Sequence, residues 1–175
     1  RRPALCDTFS GRARIRSGAA NRVAMRKFMV VVDETPECQQ AMRFAARRAK
    51  NTGGRVLMLY VIVPDEFQHW MGVAEVMRAE AREAAEERLQ ELAEEMSQLS
   101  GMTPEFAIRE GKPMDEVLAA IDEDPEIGVL VLGAGEDDGP GPLVSQLVAK
   151  QGHKMRVPIT VVPGSLSLSR IDEIS

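Results

Sequence analysis

Aromatic side chains are scarce, with Phe, Tyr and Trp together only 4% of the 175 residues. The core must therefore be built from Val, Leu, Ile, Met and Ala, and few side chains remain to stack on single-stranded nucleic acid. Cysteine is nearly absent. Cys6 and Cys38 fall in different segments, with no CxxC pair and no metal-ligand spacing. They read as free thiols of a reducing cytoplasm rather than a disulfide scaffold. His69 and His153 are the only histidines and sit in unrelated segments. With no Walker motif, no GxSxG and no HExxH, the sequence offers no catalytic residues and no metal-binding motif. No apolar run approaches the ~20 residues that span a bilayer, so no membrane partner is expected. There is no internal repeat.

Positive charge is also short where it would matter. Residues 1–24 carry six Arg and one Asp, while residues 25–175 carry 16 Lys or Arg against 26 Asp or Glu. Duplex binding needs a cationic face, so an acidic body argues against nucleic acid as a partner. Residues 1–24 have no hydrophobic period and are expected to be a disordered basic leader without a secretory signal. Met25 is a plausible start of the folded chain.

What is present alternates. Apolar runs at 28–32, 55–63, 128–132 and 158–162 predict strands buried on both faces. Alternation of Phe106 and Ile108 predicts an edge strand at 103–109. Helices are expected at about 36–51, with Thr35 as N-cap and Pro36 at the first position, at 73–99, at 114–122 and at 143–152. In the last of these Leu143, Leu147 and Val148 should face inward. The 73–99 helix has an apolar stripe through Met77, Ala81, Ala84, Leu89, Leu92 and Met96, and eight Glu between 75 and 95 on its other face. Glu75 with Arg78 and Arg82 with Glu86 stand at helical contact spacing. Before it lies a loop at 65–72 holding Phe67, His69 and Trp70. Residues 165–175 read as a polar tail with one turn near 169–173. Five strands alternating with four helices predict an α/β fold, a doubly wound parallel sheet of Rossmann-like type. Its ligands would sit at the carboxyl ends of the strands.

The loop at 133–142 holds Gly133, Gly135, Gly139 and Gly141 between a strand and a helix. That arrangement cradles anions on backbone N–H groups. It also holds Glu136, Asp137 and Asp138, and Pro140 and Pro142, which donate no N–H. A carboxylate beside a phosphate costs about 1 kcal/mol at water-like dielectric and several where solvent is scarcer.

Three stretches taken together, VVVDETPE at 30–37, LMLYVIVP at 57–64, and VLVLGAG…GPLVSQLVAK…VPITVVPG across 129–164, resemble the universal stress protein family, with its UspA-like domain, over about residues 27–164. The resemblance implies a domain over 25–164 and a five-stranded sheet of order 3-2-1-4-5, of the adenine nucleotide alpha hydrolase-like kind. It also implies a cytoplasmic stress-response protein and a homodimer paired through the last strand. In the branch that binds ATP, a first-strand aspartate and a second-strand valine hold the nucleoside, and Asp33 and Val61 match them. That branch then carries glycine, two residues, glycine, nine residues, glycine and a hydroxyl residue. Here Gly133 matches the first glycine, but Glu136 stands at the second. Ser145 and Gln146 fall at the final glycine and hydroxyl positions. The ATP motif is thus degenerate, although Gly139, Gly141 and Ser145 could form an alternative nest. Mg²⁺ could bridge Asp137 or Asp138 to a phosphate.

Three readings follow. The first is a dimeric sensor taking an adenine nucleotide, ATP with Mg²⁺, in the Asp33–Gly133 crevice. The second is a ligand-free module that binds a protein partner through its dimer surface, its acidic helix or the Phe67–Trp70 loop. The third is a weak ATPase. The first two make the protein a binder and not an enzyme.

Overall fold

A computed structural model describes residues 26–64, 74–136 and 139–175. The expectations for 1–24, Met25, the Phe67–Trp70 loop, Asp137 and Asp138 lie outside the described residues.

Five parallel strands form one sheet in the order β3-β2-β1-β4-β5: β1 (Lys27–Val32), β2 (Arg55–Ile62), β3 (Glu105–Glu110), β4 (Ile127–Ala134) and β5 (Ile159–Pro163). The helices are α1 (Cys38–Thr52), α2 (Ala74–Ser100), α3 (Pro113–Glu123), α4 (Pro142–Gln146) and α5 (Leu168–Ile174), with a π-helical turn at Leu147–Gln151. This is the doubly wound order expected from the sequence. The strand order reverses between β1 and β4.

The central strands are apolar throughout because both faces are covered. Phe28, Val30 and Val32 of β1 face a core shared with Ala41, Met42 and Ala45 of α1 and with Leu89, Leu92 and Met96 of α2. Met29 points the other way, into a core with Leu57, Leu59, Val117, Ile121, Leu130, Leu132, Val144 and Leu147. One-residue alternation along each strand thus feeds two separate cores.

Several local expectations change. Thr35 does not cap α1. Its N–H donates to Asp33 Oδ1 at 2.9 Å, its hydroxyl donates to the same atom, and Glu37 takes the cap position without a side-chain bond. The short Asp33 side chain reaches two residues on and wins Thr35 before the helix begins. On α2, Ala85 is buried and Ala84 exposed, so the apolar stripe is shifted by one residue there. Arg78 pairs with Glu110 of β3 at 2.9 Å rather than with Glu75, while Arg82 pairs with Glu86 at 3.2 Å as expected. Val148 is 53% exposed. The helix passes into a π turn at Leu147, and the 3.6-residue phase that would turn Val148 inward stops there.

The single turn expected near 169–173 is a seven-residue helix, α5, docked on α1. Ile171 is fully buried as part of the apolar core that α1 and α2 form over β1. Asp172 accepts from Arg43 at 2.8 Å and from Arg47 at 2.9 Å. Those hydrogen bonds and positive charges hold its carboxyl well below the usual aspartate range.

At the amino ends of the strands, Lys27 is buried, with its ammonium 2.6 Å from Asp124 and 2.9 Å from Glu105. Burial by itself would lower its pKa; the hydrogen bonds and charges of Asp124 and Glu105 outweigh it and hold it above the ordinary lysine value. Arg55 extends the network to Glu105 at 2.8 Å and Glu126 at 2.7 Å. This end of the sheet is an electrostatic clamp, and the opposite end is open.

Candidate functional site

The open end lies at the carboxyl edges of β1, β2 and β4, where strand order reverses. Open α/β sheets take their ligands there. Two adjoining cavities occupy it. The first, about 270 Å³, is lined by Val31, Val32, Asp33 and Thr35 from β1 and the turn after it, by Val61 and Val63 from β2 and its end, and by Leu132 and Gly133 from β4. Pro140, Gly141, Pro142, Leu143 and Val144 close it from the glycine-rich loop and α4. The second, about 520 Å³, is lined by Pro36, Glu37, Gln40, Gly135, Glu136, Gly139, Gly141, Pro142 and Gly164. Glu37, Gly141 and Pro142 belong to both.

Of the residues singled out in the sequence, Asp33, Val61, Gly133 and Gly141 meet around the first cavity, and Gly135, Gly139 and Gly141 around the second. Ser145 lines neither. Its hydroxyl donates to the Gly141 carbonyl at 2.9 Å, and its N–H donates to the same oxygen at 3.1 Å. Asp33 Oδ1 is held by Thr35, which orients the carboxylate at the cavity rim and leaves Oδ2 for another donor. His153 is exposed and lines neither cavity. Among the described residues, no group of three or more His, Cys, Asp or Glu is placed to hold a metal ion. Likewise no described helix is long and apolar enough to cross a membrane.

The glycines have a packing role that the sequence did not reveal. A Cβ on Gly133 would lie 2.7 Å from the backbone oxygen of Glu37, and one on Gly164 would lie 3.1 Å from the Glu37 Cβ. A Cβ on Gly135 would lie 2.9 Å from the Gly139 oxygen and 3.2 Å from Glu37 Oε1. Glu37 is therefore wedged between the ends of β4 and β5, which only glycine lets come so close. Gly139 and Gly141 serve differently: at φ +85° and +84° they occupy the left-handed region and turn the chain into α4.

Glu37 and Gln40 are the site residues that sequence reasoning missed. The sequence showed only a Glu at a helix start four residues after Asp33; what places it at the strand ends is its packing against Gly133, Gly135 and Gly164, far along the chain. The second cavity is consequently rich in acceptors. It presents the Glu37 and Glu136 carboxylates, no Lys or Arg lines it among the described residues, and Gln40 Oε1 is buried without a hydrogen-bond partner. The first cavity is mainly apolar, with Asp33 as its polar anchor.

The comparisons place this architecture. The model of the universal stress protein family matches residues 25–163. The fold superimposes on the universal stress protein UspA from Lactobacillus plantarum with a TM-score of 0.65 at 21% identity, covering 79% of this chain and 97% of that one. It also matches a universal stress protein solved in complex with cAMP, with a TM-score of 0.53 at 14% identity over 80% of this chain and 98% of that one. A third match is a universal stress protein from Archaeoglobus fulgidus in complex with dAMP, with a TM-score of 0.52 at 17% identity over 78% and 97%. No curated protein matches the sequence significantly. With four fifths of the chain under the family's own pattern and the 3-2-1-4-5 sheet in place, the chain belongs to the universal stress protein family.

Proposed function

We propose that this protein is a cytoplasmic, dimeric binding protein of the stress response that takes an adenine nucleoside or nucleotide in the Asp33–Gly133 crevice, and that it is not an enzyme. The observation that carries the reading is the meeting of Asp33, Val61 and Gly133, at the carboxyl ends of three different strands, around one mainly apolar cavity at the switch point. A mainly apolar slot with the Asp33 carboxylate at its rim and Glu37 at its passage to the second cavity suits a flat base and a ribose hydroxyl that donates to Asp33 Oδ2. Proteins of the same fold were solved with cAMP and with dAMP, which supports this ligand class. The dimer part of the reading rests on β5, an edge strand of uncharged residues with Val161 37% exposed, which needs a cover.

Calorimetric titration with AMP tests the site. Asp33→Ala should weaken binding at least tenfold; unchanged affinity would remove the crevice from the account. Light scattering tests the assembly, and a monomer at micromolar concentration would refute it.

A second reading, a module that works through a protein partner without a nucleotide, draws on different observations. The Ser145 hydroxyl is engaged by Gly141, and the second cavity presents carboxylates where a polyphosphate would lie. Protein that ignores millimolar AMP and ATP would favour this alternative.

A further inference from the structure

Resting on the nucleoside-binding reading of the crevice, we infer that Glu37 is a specificity-determining residue that limits the ligand to a low-charge form, a nucleoside or nucleoside monophosphate, and rejects triphosphates. The geometry is a two-room site. A nucleoside anchored against Asp33 and Val61 leaves the first cavity past Glu37, Gly141 and Pro142, the three residues that both cavities share. Every further phosphate therefore enters the second cavity. Two carboxylates, Glu37 and Glu136, stand there, with no cation among the described lining residues. Pro142 starts α4 and contributes no N–H, and the Ser145 N–H and hydroxyl are both spent on Gly141.

The space that a Cβ on Gly133, Gly135 or Gly164 would need is taken by the Glu37 carbonyl oxygen, Oε1 and Cβ respectively. Glu37 is half-buried and lines both cavities, so its charge stands at the passage, whereas Glu136 is exposed and screened. The repulsion grows with each ionised phosphate, so the affinity order is set by charge and not by size.

The test is titration with adenosine, AMP and ATP, all without divalent metal, on the wild-type protein and on Glu37→Gln, which keeps the shape and removes the charge. Wild type should bind adenosine and AMP at least tenfold more tightly than ATP. Glu37→Gln should close most of that gap, by about tenfold for ATP, with a smaller change for adenosine. A salt series on wild type alone gives a second readout that no misfolded variant can spoil. Raising ionic strength should strengthen ATP binding, because it screens a repulsion; a phosphate cradle would show the opposite slope.

Equal affinity for adenosine and ATP in wild type would overturn the filter and leave the site standing. An unchanged gap in Glu37→Gln would remove the role from this residue. Failure of both proteins to bind adenosine, AMP or ATP would overturn the nucleoside reading itself, and the filter with it.

Discussion

Gly133→Ala separates the two accounts of the glycine-rich loop, one in which its first glycine serves a ligand and one in which it serves the fold. The added methyl would sit 2.7 Å from the Glu37 carbonyl oxygen and 3.0 Å from Glu37 C and Cγ. A comfortable C···O contact begins at about 3.3 Å, so roughly 0.6 Å must be recovered. The carbonyl belongs to the first turn of α1 and Gly133 to β4, so no rotamer change relieves the contact; an element has to move. Overpacking of this kind costs about 1–3 kcal/mol. Alanine also restricts the unfolded chain, which returns about 0.4–1 kcal/mol. The net loss is then about 1–2 kcal/mol. In urea, with a slope of ~1–3 kcal/mol/M for a small protein, the midpoint should fall by roughly 0.5–1 M. The melting temperature should fall by about 3–6 °C for a chain of this size. Far-UV circular dichroism reads both. Gly139→Ala is the control: nothing lies within 4 Å of its Cβ, and only its φ of +85° opposes the change, at about 1 kcal/mol. Gly133→Ala that melts with wild type would refute the packing argument. Gly133→Ala that melts with wild type yet loses nucleotide binding would restore the ligand account.

Three further outcomes follow from features away from the crevice. Ile171→Ala empties a fully buried site between α5 and the core and should cost about 2–5 kcal/mol, whereas Asp172→Asn should only loosen α5. Hydrogen exchange that leaves amides 168–174 as protected in Asp172→Asn as in wild type would refute a role for the Asp172–Arg43–Arg47 contacts in holding α5. Burial pushes Asp124 up, but hydrogen bonds from Lys27 and the Glu126 N–H, with the charges of Lys27 and Arg55, outweigh it and hold its carboxyl below the ordinary range. Its stabilisation is therefore present above the unfolded value near ~3.9 and lost as pH falls through the lower folded value. The urea midpoints of wild type and Asp124→Asn should differ at neutral pH and converge in acid; a difference that widens in acid would contradict the sign. Burial raises the Cys38 thiol to about 11, so native protein at pH 8 should leave Cys38 unalkylated in a peptide map, and modification matching that in denaturant would contradict its enclosure.

The fold was legible because its signals are local. The unbroken apolar runs of β1 and β4 announce strands covered on both faces, and Gly53, at φ +65°, marks the end of α1 in sequence and in space. Asp33 and Val61 were found because they match positions of the family the sequence resembles, and Gly133 because it opens a glycine-rich loop after a strand. Glu37 was missed because its meaning is non-local: it is defined by Gly133, Gly135 and Gly164, about a hundred or more positions away. Thr35 was misjudged as a cap because composition cannot say whether a threonine faces the helix or the preceding aspartate. The docking of α5 was hidden in one residue, Ile171, within a stretch of serines and charges.

The sheet has two outer strands that are not alike. β3 carries Glu105, Arg109 and Glu110, while β5 runs Ile-Thr-Val-Val-Pro with no charge at all. A strand added to β3 must face those charges, whereas one added to β5 meets none. A chain with two receptive edges can grow head to tail without limit, as a fibre does. A chain with one receptive edge can only meet its own copy there, and the contact is then used up on both sides. On the proposed pairing through β5, the unequal edges would set a stopping rule: association would end at two, and the same charges that make β3 a poor partner would keep the protein from polymerising.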